Sequence, residues 1–131
     1  MQLHHLGWAV HSIEASREHF ETQLGLPYEG AEEFPTLTVA FFRAGATLIE
    51  LLEPKSDEDD VAQFLRERGE GIHHCAYLVD DVATALAGAE ACGMSLMDTV
   101  PRPGSRGTTI GFVDPRRADR ILVEYVREPT A

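Results

Sequence analysis

Basic side chains are scarce in this chain: 11 lysines and arginines stand against 22 aspartates and glutamates, for a net charge of −11. That excess of negative charge argues against nucleic acid as a partner. Cysteine is scarcer still. Two cysteines, Cys75 and Cys92, make no disulfide framework and read as small apolar side chains, one in an apolar run and one near a helix end. No apolar run approaches the roughly 20 residues that span a bilayer. The start Met1-Gln2-Leu3-His4-His5 lacks the basic-then-apolar layout of a signal peptide. No membrane partner is expected, and the cytoplasm is the expected location. Low-complexity tracts are absent too, so with 44% apolar residues in 131 the chain has the means for one compact core.

Charge is unevenly spread. Residues 1–100 carry 5 basic and 18 acidic side chains, whereas residues 101–131 carry 6 arginines and 4 acids. An anionic ligand finds its best local field in that last stretch.

A repeat organises the chain. Leu3-His4-His5-Leu6-Gly7-Trp8-Ala9-Val10 is echoed by Ile72-His73-His74-Cys75-Ala76-Tyr77-Leu78-Val79, at an offset of 69 residues. Both copies are rich in strand formers. A helix is predicted after each. Ser12 caps the first, with Ile13, Phe20 and Leu24 on one face and Gly25 past its end. Asp80 or Asp81 caps the second, with Val82, Leu86 and Ala89 on one face and Gly93 at its end. Three strands then follow each helix: residues 28–34, 37–43 and 47–53 in the first half, and 95–100, 108–113 and 121–127 in the second. The last strands also match, Ile49-Glu50-Leu51-Leu52-Glu53-Pro54 against Val123-Glu124-Tyr125-Val126-Arg127-Glu128-Pro129, now at an offset of 74. The expected fold is α+β: tandem βαβββ modules (1–54 and 72–131) forming a curled mixed sheet around a metal-binding cleft. Residues 55–71 form a linker whose acidic start suits a helix N-terminus and whose Val61, Phe64 and Leu65 form an apolar stripe.

Each half places one His in its first strand and one Glu inside its otherwise apolar last strand. Side chains alternate faces along a strand. His5 therefore shares a face with Gly7 and Ala9, and His74 with Ala76, where small residues leave room. His4 and His73 face the other way, and His11 and His19 fall outside the repeat. A carboxylate on a buried strand face is costly unless paired or bound to a metal. Strand glutamates and paired histidines are common singly; their duplication at equivalent positions is what points to a shared role. A divalent cation bound by His5, Glu50, His74 and Glu124 would offset the repulsion between Glu50 and Glu124. Two nitrogen and two oxygen donors leave one or two positions open, as in a catalytic site.

These stretches resemble the vicinal oxygen chelate superfamily, and within it the methylmalonyl-CoA epimerases most. The likeness rests on His4-His5-Leu6-Gly7-Trp8-Ala9-Val10, on Ile49–Pro54 with the acidic tract and Val61–Leu65 behind it, on Gly69-Glu70-Gly71-Ile72-His73-His74, on Val79-Asp80-Asp81-Val82, on Pro101–Gly107 and on Leu122-Val123-Glu124. It covers nearly the whole chain. It implies one divalent metal ion (Co, Mn, Ni or Zn) on His5, Glu50, His74 and Glu124; Gln also occurs at the position of Glu50. It implies an isomerase that removes the proton between a thioester and a carboxylate and returns it on the opposite face, through a metal-stabilised enolate. The expected substrate is a 2-substituted malonyl-CoA, an acyl-CoA, and a homodimer is implied. Glu124 and Glu50 are the candidate catalytic carboxylates. Arg102 and Arg106, and beyond them Arg116–Arg120, are candidates for binding a phosphate or carboxylate. The chain departs from that pattern at Val39, where some epimerases carry Glu, at Phe34-Pro35-Thr36-Leu37 and at Asp114-Pro115. Two alternatives use the same fold: a glyoxalase I-type lactoylglutathione lyase, with the same ligand set, and a metal-free resistance protein that sequesters a small molecule. A ring-cleaving dioxygenase, with two His and one carboxylate on iron, fits less well because Glu50 adds a fourth ligand.

Overall fold

A computed structural model describes residues 1–130. Its elements are β1 (Leu3–Ala9), α1 (Ile13–Arg17), β2 (Tyr28–Glu33), β3 (Leu37–Ala44), β4 (Thr47–Pro54), α2 (Asp60–Arg68), β5 (Gly71–Leu78), α3 (Val82–Ala91), β6 (Ser95–Leu96), β7 (Arg102–Pro103), β8 (Thr109–Asp114) and β9 (Leu122–Arg127). The fold is α+β with mixed pairing. The described residues form two compact units, residues 5–73 and residues 74–130 together with 1–4.

In the unit of residues 5–73 the strand order is β2-β3-β4-β1. β1 runs parallel to β4, and the other neighbours are antiparallel. Ser12 caps α1, its Oγ accepting from the Ala15 N–H at 3.1 Å. The helix then widens into a π-helical turn over Glu18–Gln23, where the Leu24 N–H reaches the His19 carbonyl five residues back. The expected face is kept at Phe20, buried against Trp8 and Phe42. It is lost at Leu24, which the wider winding leaves 53% exposed at the helix end. The linker helix forms as α2, capped by Asp59, whose carboxylate accepts from the Val61 N–H at 2.8 Å. Val61 and Leu65 are buried and pack with Ala9, Val39, Phe41, Leu48 and Leu52, and Phe64 is only partly buried. Full burial of each such side chain contributes about 1.5–3 kcal/mol.

The unit of residues 74–130 with 1–4 repeats that order as β6-β8-β9-β5, with β7 on β8. Again the first strand, β5, runs parallel to the last, β9. Asp81 is the cap of α3. The strand expected over residues 95–100 is cut to Ser95–Leu96. The Met97 and Asp98 N–H groups both donate to the Phe112 carbonyl, and the Asp98 carboxylate takes the Phe112 N–H. A side chain thus replaces the next rung of the ladder, and the chain leaves the sheet to return as β7. Pro101, without an N–H group, fits that detour, and Pro103 sits in the two-residue β7 opposite Thr109. No helix of the described residues is long and apolar enough to cross a membrane.

Candidate functional site

The registers of the two parallel strand pairs are equivalent. His5 lies opposite Leu48 and Gly7 opposite Glu50; His74 lies opposite Leu122 and Ala76 opposite Glu124. Each glutamate therefore sits two residues diagonally from its histidine, on the same face, across from a residue too small to fill the space. The result is two buried His–Glu pairs. His5 Nδ1 is 3.2 Å from Glu50 Oε2, with side chains 3% and 6% exposed. His74 Nε2 is 3.0 Å from Glu124 Oε1, with side chains 4% and 6% exposed. Metal bonds to His nitrogen and carboxylate oxygen are about 2.1 Å long, which sets neighbouring donors of one ion about 3 Å apart. Both pairs fit that spacing, and their N/O donors suit a divalent ion.

Each glutamate also faces a phenylalanine across its antiparallel neighbour, Phe41 opposite Glu50 and Phe112 opposite Glu124. Phe41 is buried beneath α2. The Phe112 ring meets the His74 imidazole edge-on, 5.0 Å between centroids and 84° between planes. The sequence reading missed both aromatics. Their offset of 71 lies between the repeat offsets of 69 and 74 and was the available signal.

Val39 is 3% exposed inside the apolar cluster under α2, and its counterpart in the second unit, Ile110, is 7% exposed beside Ala76 and Val126. Neither β3 nor β8 offers a carboxylate at that position. His4 pairs with Glu128, and the His73 ring packs against Phe64.

The candidate anion-binding arginines stand in two places along the chain. Arg102 and Arg106 precede β8, while Arg116, Arg117 and Arg120 follow it. Arg102 pairs with Asp98 at 2.8 Å, and Arg117 with Asp119 at 3.0 Å. Arg106, Arg116 and Arg120 have φ of 55°, 58° and 59°, a left-handed backbone uncommon for residues other than glycine. Apart from these, a cleft of about 350 Å³ opens beside Trp8, Val10, His11, His19, Phe20 and Glu70. His5 and Glu50 are not among its walls. Trp8 projects from the opposite face of β1 to His5, and Val10, just past the strand, packs in the same cluster as Trp8.

The sequence is 38% identical to the uncharacterized protein YqjC of Bacillus subtilis (strain 168), over 94% of this chain and 89% of that one. It is 30% identical to the ethylmalonyl-CoA/methylmalonyl-CoA epimerase of Cereibacter sphaeroides, over 94% and 95%. Among solved structures it matches a variant of the Streptomyces coelicolor methylmalonyl-CoA epimerase in complex with 2-nitronate-propionyl-CoA, with a TM-score of 0.91, 27% identity and coverage of 100% and 96%. Residues 4–112, which take in His5, Glu50 and His74 and stop short of Glu124, match the family profile. The chain belongs to the Glyoxalase/Bleomycin resistance protein/Dioxygenase superfamily, the vicinal oxygen chelate proteins.

Proposed function

We propose that this protein is a metal-dependent epimerase of a 2-substituted malonyl-CoA. The observation that carries the proposal is the pair of buried His–Glu couples in identical register. Relatives named as methylmalonyl-CoA epimerases give it a substrate class. In this reading His5, Glu50, His74 and Glu124 hold one divalent ion. Bound there, the ion supplies Lewis-acid stabilisation of negative charge on the thioester oxygen.

The chain's own part is to move a proton. Glu124 takes it from C2 as a carboxylate, and Glu50, the equivalent side chain of the first copy, starts as the carboxylic acid and gives its proton on the other face; exchange with solvent restores the two forms. Glu50 and Glu124 are each only 4% exposed, so bulk water is kept away from the proton in transit. Val39, packed in an apolar cluster, leaves that place on β3 without an acid–base group, so the two strand glutamates remain the carboxylates for the task. Arg102 and Arg106 would receive a carboxylate or phosphate of the substrate.

The test is hydrogen exchange at C2 of methylmalonyl-CoA in deuterium oxide, followed by NMR with cobalt-loaded protein and run beside a glutathione hemithioacetal. Exchange at C2 with no turnover of the hemithioacetal is expected. No exchange by metal-loaded wild type would sink the epimerase reading, and turnover of the hemithioacetal alone would replace it with the lyase.

A further inference from the structure

One carboxylate in the second unit ties together groups that the epimerase reading leaves unconnected. Asp98 follows the short β6. Its Oδ2 accepts from the Phe112 N–H at 2.8 Å, and its Oδ1 accepts from Arg102 Nε at 2.8 Å. The Met97 and Asp98 N–H groups donate to the Phe112 carbonyl at 3.0 and 3.1 Å. Phe112 is thus gripped at both polar atoms of its backbone by two consecutive residues. Its ring stands nearly perpendicular to the His74 imidazole, and the Arg102 guanidinium carbon lies 5.5 Å from the ring centroid. The Asp98 side chain is 18% exposed and that of Arg102 50%. The clamp is therefore sheltered, and the cation it holds stands in water.

We propose that Asp98 is a positioning residue: by fixing Phe112 it sets the orientation of the His74 ring, and with the same carboxylate it holds Arg102 at the rim of the His74–Glu124 pair. The physical reason is rotational. An imidazole ligates only when a ring nitrogen lone pair points at the ion, and groups just outside the ligands fix that orientation. The hydrogen bond from the Phe112 N–H to Asp98 fixes the backbone from which the Phe112 ring reaches His74. Substrate charge arriving at Arg102 would meet the same clamp. This extends the epimerase reading, but the positioning claim can be tested without a metal or substrate.

Two readouts decide it. In metal-free protein, ring ¹⁵N resonances report the environment of His74 directly. In a cobalt titration followed by visible absorption, they are joined by affinity and ligand-field bands. Asp98→Ala and Phe112→Leu should shift the His74 ring resonances and weaken cobalt binding roughly 10- to 100-fold, the usual effect of losing a group behind a ligand. Asp98→Asn keeps an oxygen for the Phe112 N–H and should return both readouts close to wild type. Arg102→Gln leaves that bond intact and should also hold wild-type values. The proposal fails if folded Asp98→Ala keeps the wild-type His74 resonances. It fails equally if Arg102→Gln disturbs them as much as Asp98→Ala, since the rim would then be loosened as a whole. If Asp98→Ala does not fold, Phe112→Leu carries the test. Should wild type bind no cobalt, the epimerase reading falls and the metal-free resonances still decide the positioning role.

Discussion

The two copies of the βαβββ repeat are nearly superimposable in register and differ in what covers them. In the first, the face bearing His5 and Glu50 is sealed by α2: Val61 and Leu65 complete an apolar cluster with Ala9, Val39, Phe41, Leu48 and Leu52. In the second, the corresponding cluster is only Ala76, Ile110 and Val126 with Phe112 against it, and no helix residue joins it. A loop closes it instead. Gly104 passes so near that a Cβ there would lie 2.6 Å from both Ile110 Cγ2 and Thr108 Oγ1, an approach only glycine allows. The same His–Glu pair thus occurs twice, and it is a helix that packs over the first copy and a loop that packs over the second. The second copy also carries the Asp98–Arg102 pair.

The sharpest way to break the comparison is to neutralise one carboxylate at a time. Glu124→Gln and Glu50→Gln each keep an oxygen that can ligate, so metal content by elemental analysis should stay near wild type. Each should slow net inversion at C2 by roughly 10²–10⁴-fold, the usual contribution of a positioned acid or base. Each should retain deuterium exchange for one epimer only, a different one in each variant. If Glu50→Gln inverts its substrate at the wild-type rate, the first copy contributes ligands and no proton transfer, and the symmetry ends at the metal.

Covering is tested by putting a carboxylate where each copy has an apolar residue. Val39→Glu buries an uncompensated charge beneath α2 and should cost roughly 3–5 kcal/mol, read as a lower midpoint in urea unfolding with unchanged slope. Ile110→Glu lies under a loop that water can reach, so its loss should be clearly smaller. Equal losses would show that α2 seals the first copy no better than the Gly104 loop covers the second.

Much of this was legible in the sequence because it depends on local pattern. The strand period set His5 on one face with Gly7 and Ala9, and His74 with Ala76, and the parallel registers then bring Glu50 opposite Gly7 and Glu124 opposite Ala76. Ser12 stands at the helix start as expected, Asp81 rather than Asp80 begins α3, and within the acidic tract before α2 it is Asp59 that caps. What escaped depends on contacts distant in sequence. The π-helical turn at Glu18–Gln23 arises where Phe20 must reach Trp8 and Phe42, and an α-period reading of Leu24 could not register it. The early end of β6 is set by Asp98 capturing the Phe112 N–H, 14 residues away, which makes an acidic residue inside an apparent strand a terminator. The same bond hid Asp98 as a candidate, since nothing around Asp98 in the chain points to Phe112.

The smallest expected effect separates the helices of the two copies by pH. Ser12 caps α1 with a hydroxyl that does not titrate in the working range. Asp81 begins α3, and the hydrogen bond from the Thr84 hydroxyl at 2.5 Å holds its carboxyl below the usual aspartate range, against a weaker upward push from burial. A carboxyl whose folded pKa lies below its unfolded value stabilises the fold above the unfolded value, about 3.9, and loses that contribution as pH falls through the folded one. Asp81→Asn should therefore be less stable than wild type at neutral pH, and the gap should close on acidification below about pH 4. Ser12→Ala should show a gap that does not change over the same range. Urea unfolding of the three proteins between neutral and acid pH makes the measurement. A gap for Asp81→Asn that persists unchanged into acid would mean that the Asp81 charge contributes nothing to α3, and that both copies start their helices by hydrogen bonding alone.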